Sequence, residues 1–535
     1  MNQTAFSKVF LAATICVALL TTSAQAQFQW ARRVASTTTW ANGPVAGMSL
    51  DTNGNCYVTG QFDGTNDFGG DTLTNLTVGG SDIFVAKYNS SGVLQWARRA
   101  GGSPANLNFG RGAGVDTNGN VYVTGGVLGP AQFGSSNLPA SSSEVFFLAK
   151  YNNAGTVQWV QTGVGGQSVY GTALAVDGAG NSYALAFAHN GDTITFGSTN
   201  VATPNEFGGN YDTSSILVKY DYTGTAQWAT VMGGYGETLA GDVAADAAGN
   251  VYVSGNFKFN GNITIGTSNL VLSTGSSQNS FVAKFDNSGA LTWVQQLKGN
   301  SVSSSGVAID QAEDVYVTGS FKTNVNFGSI SFTNAGWSDA FIAKYSISGA
   351  IQWAGQTGGT NFDGYLDVAL DGQGSAYAAG ALSSDAAVVK YSPTGAVQWA
   401  YSASGPPASP VLSIVPKCAV DSSSNCLLAG WYQGTATFGT NVLQPQELWN
   451  FFLAKAAAPA PPSLGIVWSS GAPRLSIAGA ISSMYALQWS PKVAATNTPW
   501  QTLTTLALTN NPQLYLDTSA PSGTNRFYRA GPPAL

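Results

Sequence analysis

The chain repeats one phrase along most of its length, and that repeat limits the fold more than any other feature. The phrase is an apolar strand ending in aspartate, a short turn, then a strand of the type Asn120-Val121-Tyr122-Val123-Thr124-Gly125. The aspartates are Asp51, Asp116, Asp177, Asp246, Asp310, Asp371 and Asp421. A further strand of the type Phe-Val-Ala-Lys-Tyr carries Lys87, Lys150, Lys219, Lys284, Lys344, Lys390 and Lys455. A closing strand of the type Val-Leu-Gln-Trp carries Trp96, Trp159, Trp228, Trp293, Trp353 and Trp399, and Trp30 stands alone near the start. Seven residues of each kind predict seven units.

Each unit offers four short strands. Residues 115–121 read as one hairpin, because Asn-Gly accepts positive φ at little cost, and residues 151–156 read as another. Four strands repeated seven times predict an all-β chain folded as a seven-bladed β-propeller. A linear solenoid would need capping repeats at both ends. Here the ends complement each other instead. The last unit has strands at 415–421, 425–431 and 451–455 but no tryptophan strand, and residues 28–33 are such a strand without a unit. Pairing the two in one blade closes the ring and removes a free sheet edge.

Composition fits this plan. Charged residues are 9%, against about a quarter in ordinary chains, as expected of strands packed on both faces. The 65 glycines suit many turns, and 14 Trp and 26 Phe supply a core. A net charge of −6 offers no basic surface for nucleic acid.

Residues 1–26 have an apolar run and end in Ala24-Gln25-Ala26, a small-x-small pattern that predicts a cleaved signal peptide. The propeller is expected over 27–455, an Ala/Pro linker over 456–463, and a small β-sandwich-like domain of six strands over 464–535. Trp489, Trp500, Phe527 and Tyr528 are its expected core. No later stretch reaches the roughly eighteen apolar residues of a membrane helix. The chain is therefore expected to be an exported, soluble monomer, whether secreted, held at the cell surface or periplasmic. Cys56 and Cys426 stand where Val121, Val251 and Val315 stand in other units, so buried thiols are expected. Cys418 and Cys426 flank one turn and are the remaining disulfide option.

The run 119–125, taken with 82–88, resembles the seven-bladed β-propeller repeat family of bacterial exported proteins (SBBP repeats), over about residues 28–455. The sixth unit departs from it, because 381–385 replace a longer connection. The resemblance implies fold and export and brings no catalytic activity. The pattern Ala86-x-Tyr88-x-x-Ser91-Gly92-x-x-x-Trp96 is similar to the tryptophan-docking motif of quinoprotein propellers, in which the tryptophan packs between blades. It departs at Tyr88, Tyr151 and Tyr220, where that family has aspartate, and in having seven units rather than eight. Interblade packing of the tryptophans is implied; a quinone cofactor is not.

Strand order places the first and third turns of each unit on one side. The long connections at 62–81, 127–143, 188–214, 257–279 and 321–338 lie on the other, with the links between units. Variable loops on a rigid scaffold are where binding concentrates, so Asp63, Asp67, Asp71 and His189 are the candidate binding residues. The Asp51-type turns supply one carboxylate each and read as turn caps. The first long loop, with Asp82, is the place a calcium ion would bind; no other metal or cofactor is expected. The aspartates, lysines and tryptophans present in every unit are expected to be structural. A single histidine and no HExxH, Cys-x-x-Cys or P-loop pattern leave little for familiar catalysis. The expected role is non-catalytic binding or scaffolding of a glycan, protein or surface polymer. The alternative is a carboxylate-based hydrolase or lyase, or a divergent quinoprotein.

Overall fold

The computed structural model describes residues 28–37, 45–76, 80–102, 108–204, 212–258, 262–383, 385–403 and 413–457. It also describes the strands at 463–469, 472–478, 484–490, 501–507, 513–516 and 527–531. The expected leader lies outside the described residues. Every named element among them is a strand.

The second repeat sets the pattern. Phe109–Val115, Val121–Val127, Val145–Tyr151 and Val157–Val164 form an antiparallel meander. The Asp turn between its first two strands closes through Asp116 N–H to Asn120 O and Gly119 N–H to Asp116 O, both 3.0 Å. Val121–Val127 is buried along its whole length, so both of its faces are covered. Val157–Val164 is largely half-buried and forms the outer rim. Near-continuous burial of the middle strands is why so few positions tolerate charge.

First strands of successive meanders pack side by side in chain order: Val45–Leu50, Phe109–Val115, Val169–Val176, Glu237–Ala245, the second half of Leu291–Ile309, Gly364–Leu370 and Ser413–Val420. The last packs back against Val45–Leu50. The result is a propeller-like arrangement with the cores in the seams. One seam joins Ile83, Val85 and Trp96 to Val123, Phe133 and Phe147 of the next unit. The closing seam joins Trp30, Val34, Leu427 and Phe451 to Met48, Val58 and Phe84, and it is as apolar as the others. Phe28–Thr37 pairs antiparallel with Trp449–Ala456, matching Trp30 with Lys455, so strands from both ends of the repeat region share one sheet.

Two features depart from a set of separate four-stranded sheets. Leu291–Ile309 runs without a break as the outer strand of one meander and the first strand of the next. With the Thr213–Glu237 bridge, this joins three units into one 14-stranded sheet. The long connections also carry short hairpins that dock backwards. Ala131–Phe133 pairs with Leu94–Gly101 of the preceding unit, and Thr193–Phe196 and Asn262–Ile265 repeat the move. These hairpins cover outer strands that would otherwise be open edges. In the sixth unit a tight link, Leu382 paired with Asp385, takes their place.

Cys56, Cys418 and Cys426 are buried and free, so the Cys418–Cys426 disulfide does not form. The tail contains two three-stranded sheets, one of Ser463–Ser469, Ala472–Ala478 and Gln513–Leu516, the other of Gln501–Ala507, Met484–Ser490 and Phe527–Gly531. Its expected core residues, Trp489, Trp500, Phe527 and Tyr528, have side chains outside the described set.

Candidate binding site

The repeated residues are spent on the scaffold. Asp116 Oδ1 accepts Asn118 N–H at 3.0 Å and Asn120 N–H at 2.9 Å, while Oδ2 accepts the Asn120 amide at 2.8 Å. Asp51, Asp177 and Asp246 repeat the arrangement, and Asp310, Asp371 and Asp421 repeat its backbone bonds. Lys390 reaches Asp371 at 2.9 Å, Lys455 reaches Asp421 at 2.7 Å, and Lys344 reaches Asp310 at 3.1 Å. Lys150 lies 3.9 Å from Asp116, Lys284 pairs with Glu313, and Lys87 and Lys219 bond Asn153 and Asn287 of the following unit. Burial would raise the Asp371 and Asp421 pKa values, but hydrogen bonds from Lys390 and from Lys455 with Asn425 outweigh it and hold both below the usual carboxylate range.

The tryptophans tie unit to unit. Trp96 Nε1–H donates to Asn153 O at 3.0 Å, with equivalent bonds from Trp228, Trp293 and Trp353. The indole of Trp96 lies over Gly155, where a Cβ would come within 2.8 Å of the ring and φ is +76°. Only glycine suits both conditions. Trp30 covers Gly92 in the same way, across the junction of first and last units.

The first-loop carboxylates are also occupied. Asp67 Oδ1 accepts Gly69 and Gly70 N–H at 2.9 and 3.0 Å, and the Gly70 bond, then the Gly69 bond, lower its pKa. Asp71 Oδ2 accepts Ala97 N–H at 2.9 Å. Buried Asp82 takes Leu76 N–H and the Arg99 guanidinium. The backbone oxygen of Asp63 accepts the Asn66 amide at 2.8 Å. Among the described residues no group of three His, Cys, Asp or Glu side chains is arranged to hold a metal.

His189 lies in the third unit, at the long-loop end of Ser182–His189. Its ring meets Phe187 edge-on, with centroids 5.5 Å apart. Phe187 stacks on Tyr170 at 4.7 Å, and Tyr170 meets Phe109 of the second unit edge-on at 5.5 Å. Arg111 completes this wall, with its guanidinium carbon 5.0 Å from the Phe109 centroid and 5.9 Å from that of Tyr170. Among the described residues Arg111 makes no hydrogen bond or ion pair. Its nearest acid by charge is Glu144, whose carboxylate is engaged by Ser168, and Glu237 is paired with Lys258 at 3.0 Å. Burial lowers the Arg111 pKa, the mark of a cation without a close counter-ion.

Arg111 stands where it does because of a β-bulge. Every first strand shifts register at this level, between Gly110 and Gly112, Gly171 and Ala173, Ala240 and Asp242, and their equivalents. Arg111 is the extra residue of its strand. The next position reads Gly47, Gly112, Ala173, Asp242, Gly306, Asp367 and Lys417. A Cβ on Gly112 would strike Leu174 of the neighbouring strand, whereas Asp242 Oδ2 accepts Val307 N–H at 3.1 Å and Asp367 Oδ2 accepts Cys418 N–H at 2.7 Å. The remaining oxygens face Lys417, whose Nζ lies 3.2 Å from Asp242 and 3.7 Å from Asp367. This bridge crosses a cavity of about 240 Å³ that Arg111 also lines. Burial pushes Asp367 up to about 6 against the pull of Lys417, and Asp242 and Asp367 together raise Lys417 despite its own burial.

None of Arg111, Tyr170, Asp242, Asp367 and Lys417 stood out in the repeat. The available signal was departure from it: four residues before the repeated aspartate, three units carry a charge where the others carry Gly or Ala.

On the same side, Trp337 is 70% exposed and Phe362 41%. Phe362 bridges Ser338, and Lys322 Nζ lies 5.4 Å from the Trp337 ring centroid.

A family model for the beta-propeller repeat matches residues 95–125, from the outer strand of the first unit into the second strand of the next. The chain carries a beta-propeller repeat. Among curated proteins, an uncharacterized WD repeat-containing protein of Acanthamoeba polyphaga mimivirus is 23% identical over 350 residues, covering 54% of this chain and 25% of that protein. The chain thus spans about a quarter of the length of the curated relative it matches. Similar solved structures include a Lactobacillus plantarum protein, with TM-score 0.33, 14% identity, and coverage of 69% of this chain and 93% of that one. Puromycin hydrolase gives 0.39, 11%, 84% and 62%, and an ulvan lyase gives 0.31, 10%, 83% and 90%. No site residue or activity is carried over from them.

Proposed function

We propose that this chain is an exported seven-bladed β-propeller that binds, without transforming, a glycan, protein or surface polymer on its long-loop side. The blade count rests on seven first strands packed in sequence, with the last against the first. Export rests on the pattern of residues 1–26, and the tail is read as a small β-sandwich on its two three-stranded sheets. The observation that carries the binding reading is Arg111. It is a half-buried guanidinium whose donors have no protein acceptor among the described residues, set against Phe109 and Tyr170, with Phe187 stacked on Tyr170. A cation held this way is costly unless something outside the scaffold satisfies it.

A second reading, a carboxylate-based lyase or hydrolase, is favoured by the proximity of Tyr170 to Glu144 and Glu237, groups able to move a proton. Against it, Glu144 bonds Ser168 and Glu237 pairs with Lys258. The test is a glycan array with a product readout, run on the chain lacking residues 1–26. Binding without new reducing or unsaturated ends supports the first reading. Turnover that disappears in Y170F supports the second.

A further inference from the structure

We infer that Arg111 and Tyr170 form a carboxylate-recognition pair for a carboxylate-bearing ligand, with polyuronates as the probe; this rests on the binding reading above. Three observations carry it. First, the guanidinium keeps all five N–H donors free of protein acceptors among the described residues, and its planar fork matches a carboxylate in two parallel bonds. Second, the faces of Phe109 and Tyr170 fix the fork, and Phe187, itself met edge-on by His189, stacks on Tyr170, so little side-chain freedom remains to be lost on binding. Third, charge limits the ligand. Among the described residues Arg111 is the one uncompensated cation at this wall, and Glu144 lies close enough to act on both Arg111 and Tyr170. That carboxylate opposes a dianion such as a phosphate monoester about twice as strongly as a single negative charge, which Arg111 can balance one for one. The Tyr170 hydroxyl, near the guanidinium and without a protein hydrogen bond among the described residues, supplies a further donor.

The site is built by departure from the repeat. The other units place Ala46, Thr172, Gly241, Ser305, Leu366 and, in the seventh, Val415 and Pro416 at the bulge position that Arg111 occupies. The ring therefore offers one such position rather than seven, as a single ligand residue requires.

The test uses the chain lacking residues 1–26 with immobilised polygalacturonate, alginate and a polyglucuronate, beside dextran sulfate and neutral dextran. The variants are R111K, R111A and Y170F, and thermal melts run in parallel. At least one polyuronate is expected to bind. R111K should weaken it by about tenfold or more, because the ammonium keeps the charge and loses the fork. Y170F should weaken it less, and both variants should keep the wild-type melt. If R111A fails to fold, R111K and Y170F decide the matter. Equal Arg111-dependent binding of dextran sulfate, or polyuronate binding indifferent to R111K, overturns the carboxylate assignment. Neutral polymers bound without any polyuronate leave the binding reading standing and sink this inference. A panel blank throughout sinks this inference and the glycan form of the binding reading.

Discussion

The two sides of the ring differ in how they treat charge. On the short-turn side every unit carries the same aspartate and lysine, and almost every oxygen and ammonium is answered within its own or the next unit. Toward the channel and the long-loop side, charges appear in single units: Arg111, Asp242, Asp367 and Lys417. The channel trio answers itself across the cavity, and Arg111 does not. What repeats holds the ring together; what breaks the repeat is available for a task.

The largest effect should come from K417A. Removing it leaves Asp242 and Asp367 facing one cavity without a cation, and breaking a buried pair costs about 3–5 kcal/mol. The lower end is expected, since the Lys417 side chain is 21% exposed. Urea midpoints read this, and adding D242N and D367N should restore most of the loss. A short-turn lysine should cost less. K390A strands one carboxylate rather than two, and Asp371 keeps two backbone N–H bonds, so the loss should be about 1–3 kcal/mol by the same measurement. A channel loss no larger than the short-turn loss would break the contrast.

pH should separate the two sides by sign. Asp371 and Asp421 have depressed folded-state pKa values, so their stabilisation is present above the ordinary carboxylate pKa near 4 and is lost as pH falls through the folded value. Asp367 is raised to about 6, so its contribution is greatest when protonated and is lost as pH rises from about 4 to 6. Stability measured across that interval should decline less in D367N than in the wild type. D371N should instead blunt the loss below pH 4. The smallest effect is expected from W337A, within about 0.5 kcal/mol, because its ring is 70% exposed.

Much of the ring was legible because its rules are local and repeated. The pairing of residues 28–33 with the last unit could be read from a missing tryptophan strand, and it is present as Trp30 opposite Lys455. The Asp-turn bonds followed from the side chain's reach to its own turn amides. The site was less legible. Asp67 and Asp71 attracted attention as clustered acids, yet they close a turn and hold a strand edge, since a short carboxylate is satisfied by the nearest amides. His189 is linked to the unspent cation only through Phe187 and Tyr170, a relation between strands that spacing along the chain does not reveal. Arg111 depends on a bulge, and bulges are set by pairing across strands rather than by composition. The backward docking of the loop hairpins was likewise invisible, because it joins one unit to the outer strand of the one before.

The contrast between spent and unspent charge is tested most directly by measuring polyuronate binding and thermal melting together for R111K and K390A. R111K is expected to lose binding by about tenfold or more while melting like the wild type, and K390A to melt lower while binding normally when folded. If both variants lose binding and stability in step, or if K390A alone loses binding, the division between scaffold and site is wrong.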